Sequence, residues 1–175
     1  MPLLSKSDKA ALIQAGLVAL GVGLAYYLQD NLEVGSGDKT FPLTFPVRSR
    51  RVTSGYGSRR NPVTGKNNDF HKGVDFAAAE GDPVTAPAGG VIIGIDKNST
   101  GGNQLIMRHD NGWHTGYAHL SSYAARMGQR VERGQLIAYV GKTGRVTGPH
   151  LHFVVSDPTR QSRNPLHYLP KLLRS

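Results

Sequence analysis

GVIIGIDKNSTGGNQLIMRHDNGWHTGYAH, residues 90–119, decides the fold class. Three apolar runs of strand length, residues 90–95, 104–108 and 114–119, are bounded by turn residues. Such runs, rich in Val, Ile and aromatic side chains, suit a pleated, half-buried surface. Between the second and third runs, Asp110-Asn111-Gly112 reads as a hairpin turn, because Asn-Gly supplies the positive φ values a tight turn requires. Working outward, residues 83–86, 135–140 and 150–155 repeat the pattern, and 22 glycines and 10 prolines suit many short strands. Only residues 121–126 look helical within this region, and no internal repeat is visible. The expected architecture is mainly β, an antiparallel sheet domain preceded by one N-terminal apolar helix.

That helix is expected over residues 10–28, AALIQAGLVALGVGLAYYL, which are apolar except for Gln14. About 20 such residues cross a hydrocarbon core. Lys6 and Lys9 precede the segment and Asp30, Glu33 and Asp38 follow it, which keeps the N-terminus in the cytoplasm and sends the rest outward. Ala11, Ala15, Ala19 and Gly23 fall on one stripe where a second helix can approach, so helix-mediated self-association is open. So is a cleaved signal peptide, since Gly23-Leu24-Ala25 has the small-x-small form. Residues 1–9 are then a cytoplasmic segment or signal n-region, 29–46 a linker, 47–170 the domain and 171–175 a tail. Within the linker, residues 34–46 have no helical or strand periodicity, and the domain begins between Phe41 and Val47.

A chain of 175 residues holds one well-packed domain plus an appendage. Its formal charge of +9 favours an anionic partner such as nucleic acid, acidic lipid or cell wall. No helix-turn-helix, RNP-like or zinc-finger pattern accompanies the arginines of residues 48–60, so specific nucleic-acid binding is not expected. Cysteine is absent, which excludes disulfides, thiolate metal sites and a cysteine lipid anchor.

Any metal must therefore use histidine and carboxylate. Four of the seven histidines fall into suggestive patterns: H-x-x-x-D at His71 and Asp75, Y-A-H ending at His119, and H-x-H at His150 and His152. Residues two or four apart on a strand project from one face, so His150 and His152 can reach one site, and His71 and Asp75 can converge if that stretch is extended. Two imidazoles and a carboxylate leave zinc's fourth tetrahedral position open, as a catalytic site demands. Further histidines can move protons to and from a tetrahedral intermediate. Each pattern alone is common by chance.

Four stretches together are more specific: TSGYGSRRNPVTG (53–65), FHKGVDFAAAEGDPVTAPAGGVI (70–92), TGYAHLS (115–121) and GQLIAYVGKTGRVTGPHLHF (134–153). Over residues 47–169 the chain resembles the lysostaphin-type, or LytM-like, zinc metallopeptidases that degrade peptidoglycan. The resemblance implies an antiparallel β domain with a substrate groove over a Zn²⁺ ion held by His71, Asp75 and His152. It implies catalytic assistance from His119 and His150, without fixing which is the general base. Some members stabilise the oxyanion with a tyrosine near the first motif; here Tyr56, Arg59 and Arg60 are the candidates, the arginines also being able to meet an acidic stem peptide. Tyr117 and Phe153 read as packing residues, and His109, His114 and His167 as structural or exposed.

The implied function is zinc-dependent endopeptidase cleavage of bacterial peptidoglycan, in cell-wall remodelling or as a phage lysin or virion enzyme. The domain would lie outside the cytoplasm on its membrane helix, in a virion, or secreted if the segment is removed. A catalytically silent peptidoglycan-binding or activator module of the same fold is the alternative. A biotinyl- or lipoyl-like carrier is a further rival, on GDPVTAPAGGVI and GQLIAYVG, but the modified hairpin lysine is missing.

Overall fold

The computed structural model describes residues 41–61, 63–65, 67 and 69–171. The apolar segment 10–28, its small-residue stripe, the linker as far as residue 40 and the tail from residue 172 lie outside these residues. Among the described residues no helix is long and apolar enough to cross a membrane.

The strands are β1 (Val52–Ser54), β2 (Gly57–Arg59), β3 (Asp69–His71), β4 (Val74–Ala77), β5 (Pro83–Thr85), β6 (Gly90–Asn98), β7 (Gly102–His109), β8 (His114–Tyr123), β9 (Arg130–Val131), β10 (Leu136–Val140), β11 (His150–Ser156) and β12 (Ser162–Arg163). A single 3₁₀ turn, Pro165–His167, follows them. Ten strands form one sheet, with the order β1-β4-β11-β8-β7-β6-β9 along its main path. Off that path β10 pairs with β5 and β8, and β12 with β11, while β2 and β3 form a separate two-stranded sheet. Every pairing is antiparallel, as expected.

Alternation along β11 explains the layering. Leu151, Phe153 and Val155 are fully buried, while His150, His152 and Val154 sit half-buried on the opposite face. Below the sheet, Phe153 meets Phe76 of β4 and Tyr117 of β8, with ring centroids 6.4 and 5.5 Å away. Tyr117 and Phe153 are thus packing residues, each such side chain contributing about 1.5–3 kcal/mol by burial. One sheet face makes the core, and the other carries the histidines.

Three expectations change. Phe41 and Leu43 are core residues; Phe41 stacks on Trp113 at 5.2 Å and the Leu43 amide donates to Tyr168 O at 2.9 Å. The domain therefore takes in the last residues of the linker expected over 29–46, because apolar side chains there cover the aromatic end of the core. Residues 121–126 are not helical: β8 continues to Tyr123, where Ser122 and Tyr123 pair with Tyr139 and Ala138 of β10, so cross-strand pairing overrides local preference. In the β7–β8 turn Gly112 alone has positive φ, at 83°, and the Asn111 side chain accepts from the Trp113 amide.

Candidate active site

His152 of β11 lies directly opposite Asp75 of β4 in the sheet register. His71 arrives from elsewhere, as the last residue of β3 in the small sheet. The stretch from His71 to Asp75 is therefore not one extended strand. It breaks at Lys72-Gly73, and the turn brings His71 over the main sheet. Gly73 makes this approach feasible: a Cβ there would lie 2.5 Å from Phe153 O and 2.8 Å from His152 Cε1.

The three side chains present one ligand atom each within 4.8 Å of one another. His152 Nδ1 is 2.8 Å from Asp75 Oδ1, His71 Nε2 is 3.2 Å from that oxygen, and the two nitrogens are 3.0 Å apart. Ligands at about 2.0–2.1 Å from a tetrahedral zinc are roughly 3.3 Å from each other. The set fits a small divalent cation in spacing and in donor chemistry. His71 and Asp75 are buried and His152 is half-buried.

Second partners fix the imidazoles. His71 Nδ1–H donates to Gly55 O at 2.7 Å, His119 Nδ1–H to Thr143 O at 2.9 Å and His150 Nδ1–H to Gly148 O at 2.9 Å. A carbonyl only accepts, so each ring carries its proton on Nδ1 and turns a bare Nε2 toward the site when neutral. His152 is reversed, with Nδ1 on the cluster. Burial tends to raise the Asp75 pKa, but hydrogen bonds from His152 and from His71 in its protonated form outweigh it and hold the carboxyl far below the usual range. Arg59 Nη1 donates to the other oxygen, Oδ2, at 3.2 Å and to Ser54 Oγ.

His119 reaches the site through an irregularity. Between the pairs Asn103↔Leu120 and Leu105↔Tyr117, Gln104 of β7 faces both Ala118 and His119 of β8, a β-bulge. His119 takes φ 64°, a conformation unusual for a residue other than glycine. One extra residue thus moves its ring off the Tyr117 side of the strand and returns Leu120 to the core. The ring centroid lies 4.8 Å from His150 and 5.9 Å from His152. Burial pushes the His119 pKa down to about 4, so the ring is neutral near pH 7. His150 Nε2 is 3.8 Å from Asp75 Oδ1.

All five expected polar residues therefore converge, and two grooves meet over them. One, of about 480 Å³, contains the four histidines and is also lined by Asn61, Val63, Arg145 and Thr147. The second, of about 860 Å³, shares Arg59, Asp75 and His150 and continues past Arg51 and Arg60. Tyr56 lines neither; its hydroxyl donates to Ser162 O at 2.9 Å and its ring packs edge-on to Phe70. Arg59 reaches Asp75, and Arg60 lies in the second groove with Nε donating to Gly65 O. His109 and His114 are buried outside the cluster and His167 is exposed.

Thr143 and Gly102 escaped the sequence reading, whereas Gly144 reads from sequence as a glycine of a turn or close approach. Thr143 Oγ1 donates to Leu120 O and accepts from the Asn103 amide, which locks the carbonyl that His119 meets. Gly102 packs against Thr143, and Gly144 against the backbone of residues 100–102, both at positive φ with no room for a Cβ. The K-T-G triplet was visible in sequence, but its contact with residues some 40 positions earlier was not.

With this geometry in hand, three comparisons are informative. Residues 69–165 match the family model described as Peptidase family M23. The chain is 45% identical over 107 residues to the peptidoglycan DD-endopeptidase ShyB of Vibrio cholerae, covering 61% of this chain and 25% of that protein. A zinc-containing peptidase from Vibrio cholerae superposes with a TM-score of 0.61 at 37% identity, covering 78% of this chain and 39% of that one. The catalytic domain of the antimicrobial peptidase lysostaphin from Staphylococcus simulans gives 0.60 at 33% identity, covering 66% and 89%. The chain spans between about a quarter and a third of the first curated relatives it matches. With the match extending over more than half its length, from β3 to the 3₁₀ turn, the chain belongs to peptidase family M23.

Proposed function

We propose that this chain is a zinc-dependent endopeptidase that hydrolyses peptide bonds in bacterial peptidoglycan. The observation that carries the reading is the convergence of His71 Nε2, Asp75 Oδ1 and His152 Nδ1 at mutual distances of 2.8–3.2 Å, with His119 and His150 beside them in a groove. The family and the relatives named as peptidoglycan endopeptidases point the same way.

In this reading His71, Asp75 and His152 hold Zn²⁺, which when bound supplies Lewis acidity and acidifies water. Arg59 holds the Asp75 oxygen turned away from the histidines, so that Oδ1 remains aimed at the cluster. The Nε2 atoms of His119 and His150 face the groove with their tautomers set by Thr143 O and Gly148 O. They take a proton from the attacking water and deliver one to the departing amine nitrogen as the C–N bond breaks, leaving a carboxylate and an amine. Tyr56, tied to Ser162, takes no part in oxyanion stabilisation in this scheme; a histidine outside the ligand set carries that role once its Nε2 has taken the water proton and become a donor.

Purified cross-linked peptidoglycan from Gram-negative and Gram-positive walls, incubated with zinc-loaded protein, should release peptide fragments with a new carboxylate and amine at the cut. A chelator should stop the release. Stoichiometric zinc without any fragment would identify the silent binding module instead. We also place the domain outside the cytoplasm, tethered through residues 10–28, because that segment is apolar with lysines before it and acids after it. Intact mass with membrane fractionation tests this: a mature start near Tyr26 overturns the retained anchor.

A further inference from the structure

The second groove contains positive charge that no acid among the described residues pairs with. Arg51 and Arg60 line it together with His150 and Asp75. Among the described residues neither arginine pairs with an acid. The two acids of the same groove are occupied: Asp75 by histidines and Arg59, and Asp82 by the Ala79 amide, which donates to its Oδ2 at 2.8 Å. Arg59 is itself committed to Asp75 and Ser54. The Nε–H of Arg60 goes to Gly65 O, while its terminal nitrogens have no acidic partner. The groove is also lined by the small side chains Ala77, Ala78 and Ala79, which leave room for a peptide.

We infer that this groove is a carboxylate subsite, in which Arg51 and Arg60 select peptides bearing a free carboxylate on a residue adjoining the scissile bond. The inference rests on the peptidase reading and narrows it to an acidic substrate class, as opposed to an uncharged glycine bridge. Arg51 and Arg60 are solvent-exposed at this groove, and a guanidinium with free donors gives charge-assisted hydrogen bonds to a carboxylate that a carboxamide does not reproduce. Arg51 comes from the residue before β1 and Arg60 from the residue after β2, so two separate loops would close on one anion.

The test uses the full chain and two synthetic cross-linked peptides, identical except that the carboxyl group next to the scissile bond is free or converted to carboxamide. Hydrolysis is followed as kcat/KM with zinc present, and binding by fluorescence anisotropy after chelation, when no turnover intervenes. Both readouts should favour the free carboxylate by about tenfold or more. In the Arg51→Gln/Arg60→Gln double variant, whose folding is checked by thermal melting, the ratio should fall close to one. Arg130→Gln, outside both grooves, should leave it unchanged. A ratio near one in the unmodified protein, or one that survives the double variant, overturns the subsite. Cleavage of neither peptide, with a binding ratio that still collapses in the double variant, would overturn the peptidase reading and leave the subsite standing.

Discussion

Gly73→Ala adds one methyl group at the point where the chain crosses from the small sheet to the large one. The new Cβ would lie 2.5 Å from Phe153 O, 2.8 Å from His152 Cε1 and 3.0 Å from His152 Nε2. Comfortable non-bonded contact begins about 3.5 Å away, so the carbonyl alone must yield roughly 1 Å. Phe153 pairs with Val74 in the β4–β11 ladder, which resists such a shift, and its side chain is fully buried. Overpacking of this kind costs about 1–3 kcal/mol, or a fall in Tm of about 4–12 °C for a domain of this size. The remaining relief is rotation of His152 away from the cluster, which should weaken zinc binding about 10–100-fold, the scale for disturbing a ligand's support. Calorimetry and chelator competition measure the two effects. Gly89→Ala, whose Cβ would meet only ordinary contacts at 3.7 and 3.8 Å, serves as the control. Wild-type Tm together with wild-type zinc affinity in Gly73→Ala would refute the close approach and the ligand role of His152 with it.

Alanine at His71, Asp75 or His152 should remove most of the bound zinc, read by metal analysis, because three protein ligands leave no redundancy. His119→Ala and His150→Ala should keep zinc and lose about 10²–10⁴ in kcat; near-normal turnover in either demotes that residue to packing. Thr143→Val deletes the hydroxyl bridging Asn103 N and Leu120 O. It should cost about 1–3 kcal/mol in urea unfolding and lower kcat more than KM. Burial pushes the His109 pKa down to about 4, and the neutral ring donates from Nδ1 to Gly89 O while Nε2 accepts from Thr115. Because the folded value lies below the ordinary 6.5, this stabilisation is full above about pH 6.5. It declines as pH falls toward 4, by up to about 3 kcal/mol. Stability measured across that window should fall more steeply in the wild type than in His109→Gln, and equal slopes would contradict the assignment.

The strands that carry the site were legible because period-2 alternation survives in β11 and the central sheet. Residues 150–155 were expected extended, and His150 and His152 do share a face there. His119 shows where alternation stops being a guide. Strict parity places it on the same side as Tyr117, and only the bulge opposite Gln104 turns it outward. Such an insertion depends on the register of a neighbouring strand, which a single stretch of sequence does not encode. Gly73 reads from sequence as a glycine of a turn or close approach, but the partners it approaches, Phe153 and His152, lie about 80 residues later and were hidden for a similar reason. Tyr56 lay near the first motif in sequence, yet its hydroxyl found Ser162, 106 residues away. Residues 121–126 had local helical character, but β10 claimed their first half as strand.

Because His71 belongs to a two-stranded sheet and Asp75 and His152 to the large one, a cation held by the three would bridge two pieces that the backbone ladder leaves separate. Metal affinity would then contain the free energy of closing the β2–β3 hairpin onto the domain, and hairpin closure would contain part of the metal affinity. The hairpin loop also supplies Asn61 and Val63 to one groove wall. A peptide gripping that wall must tighten the hold on the cation by the factor with which the cation tightens the hold on the peptide. On the proposed function, substrate and cofactor would in this sense be allosteric effectors of each other across a hinge of two residues, Lys72 and Gly73.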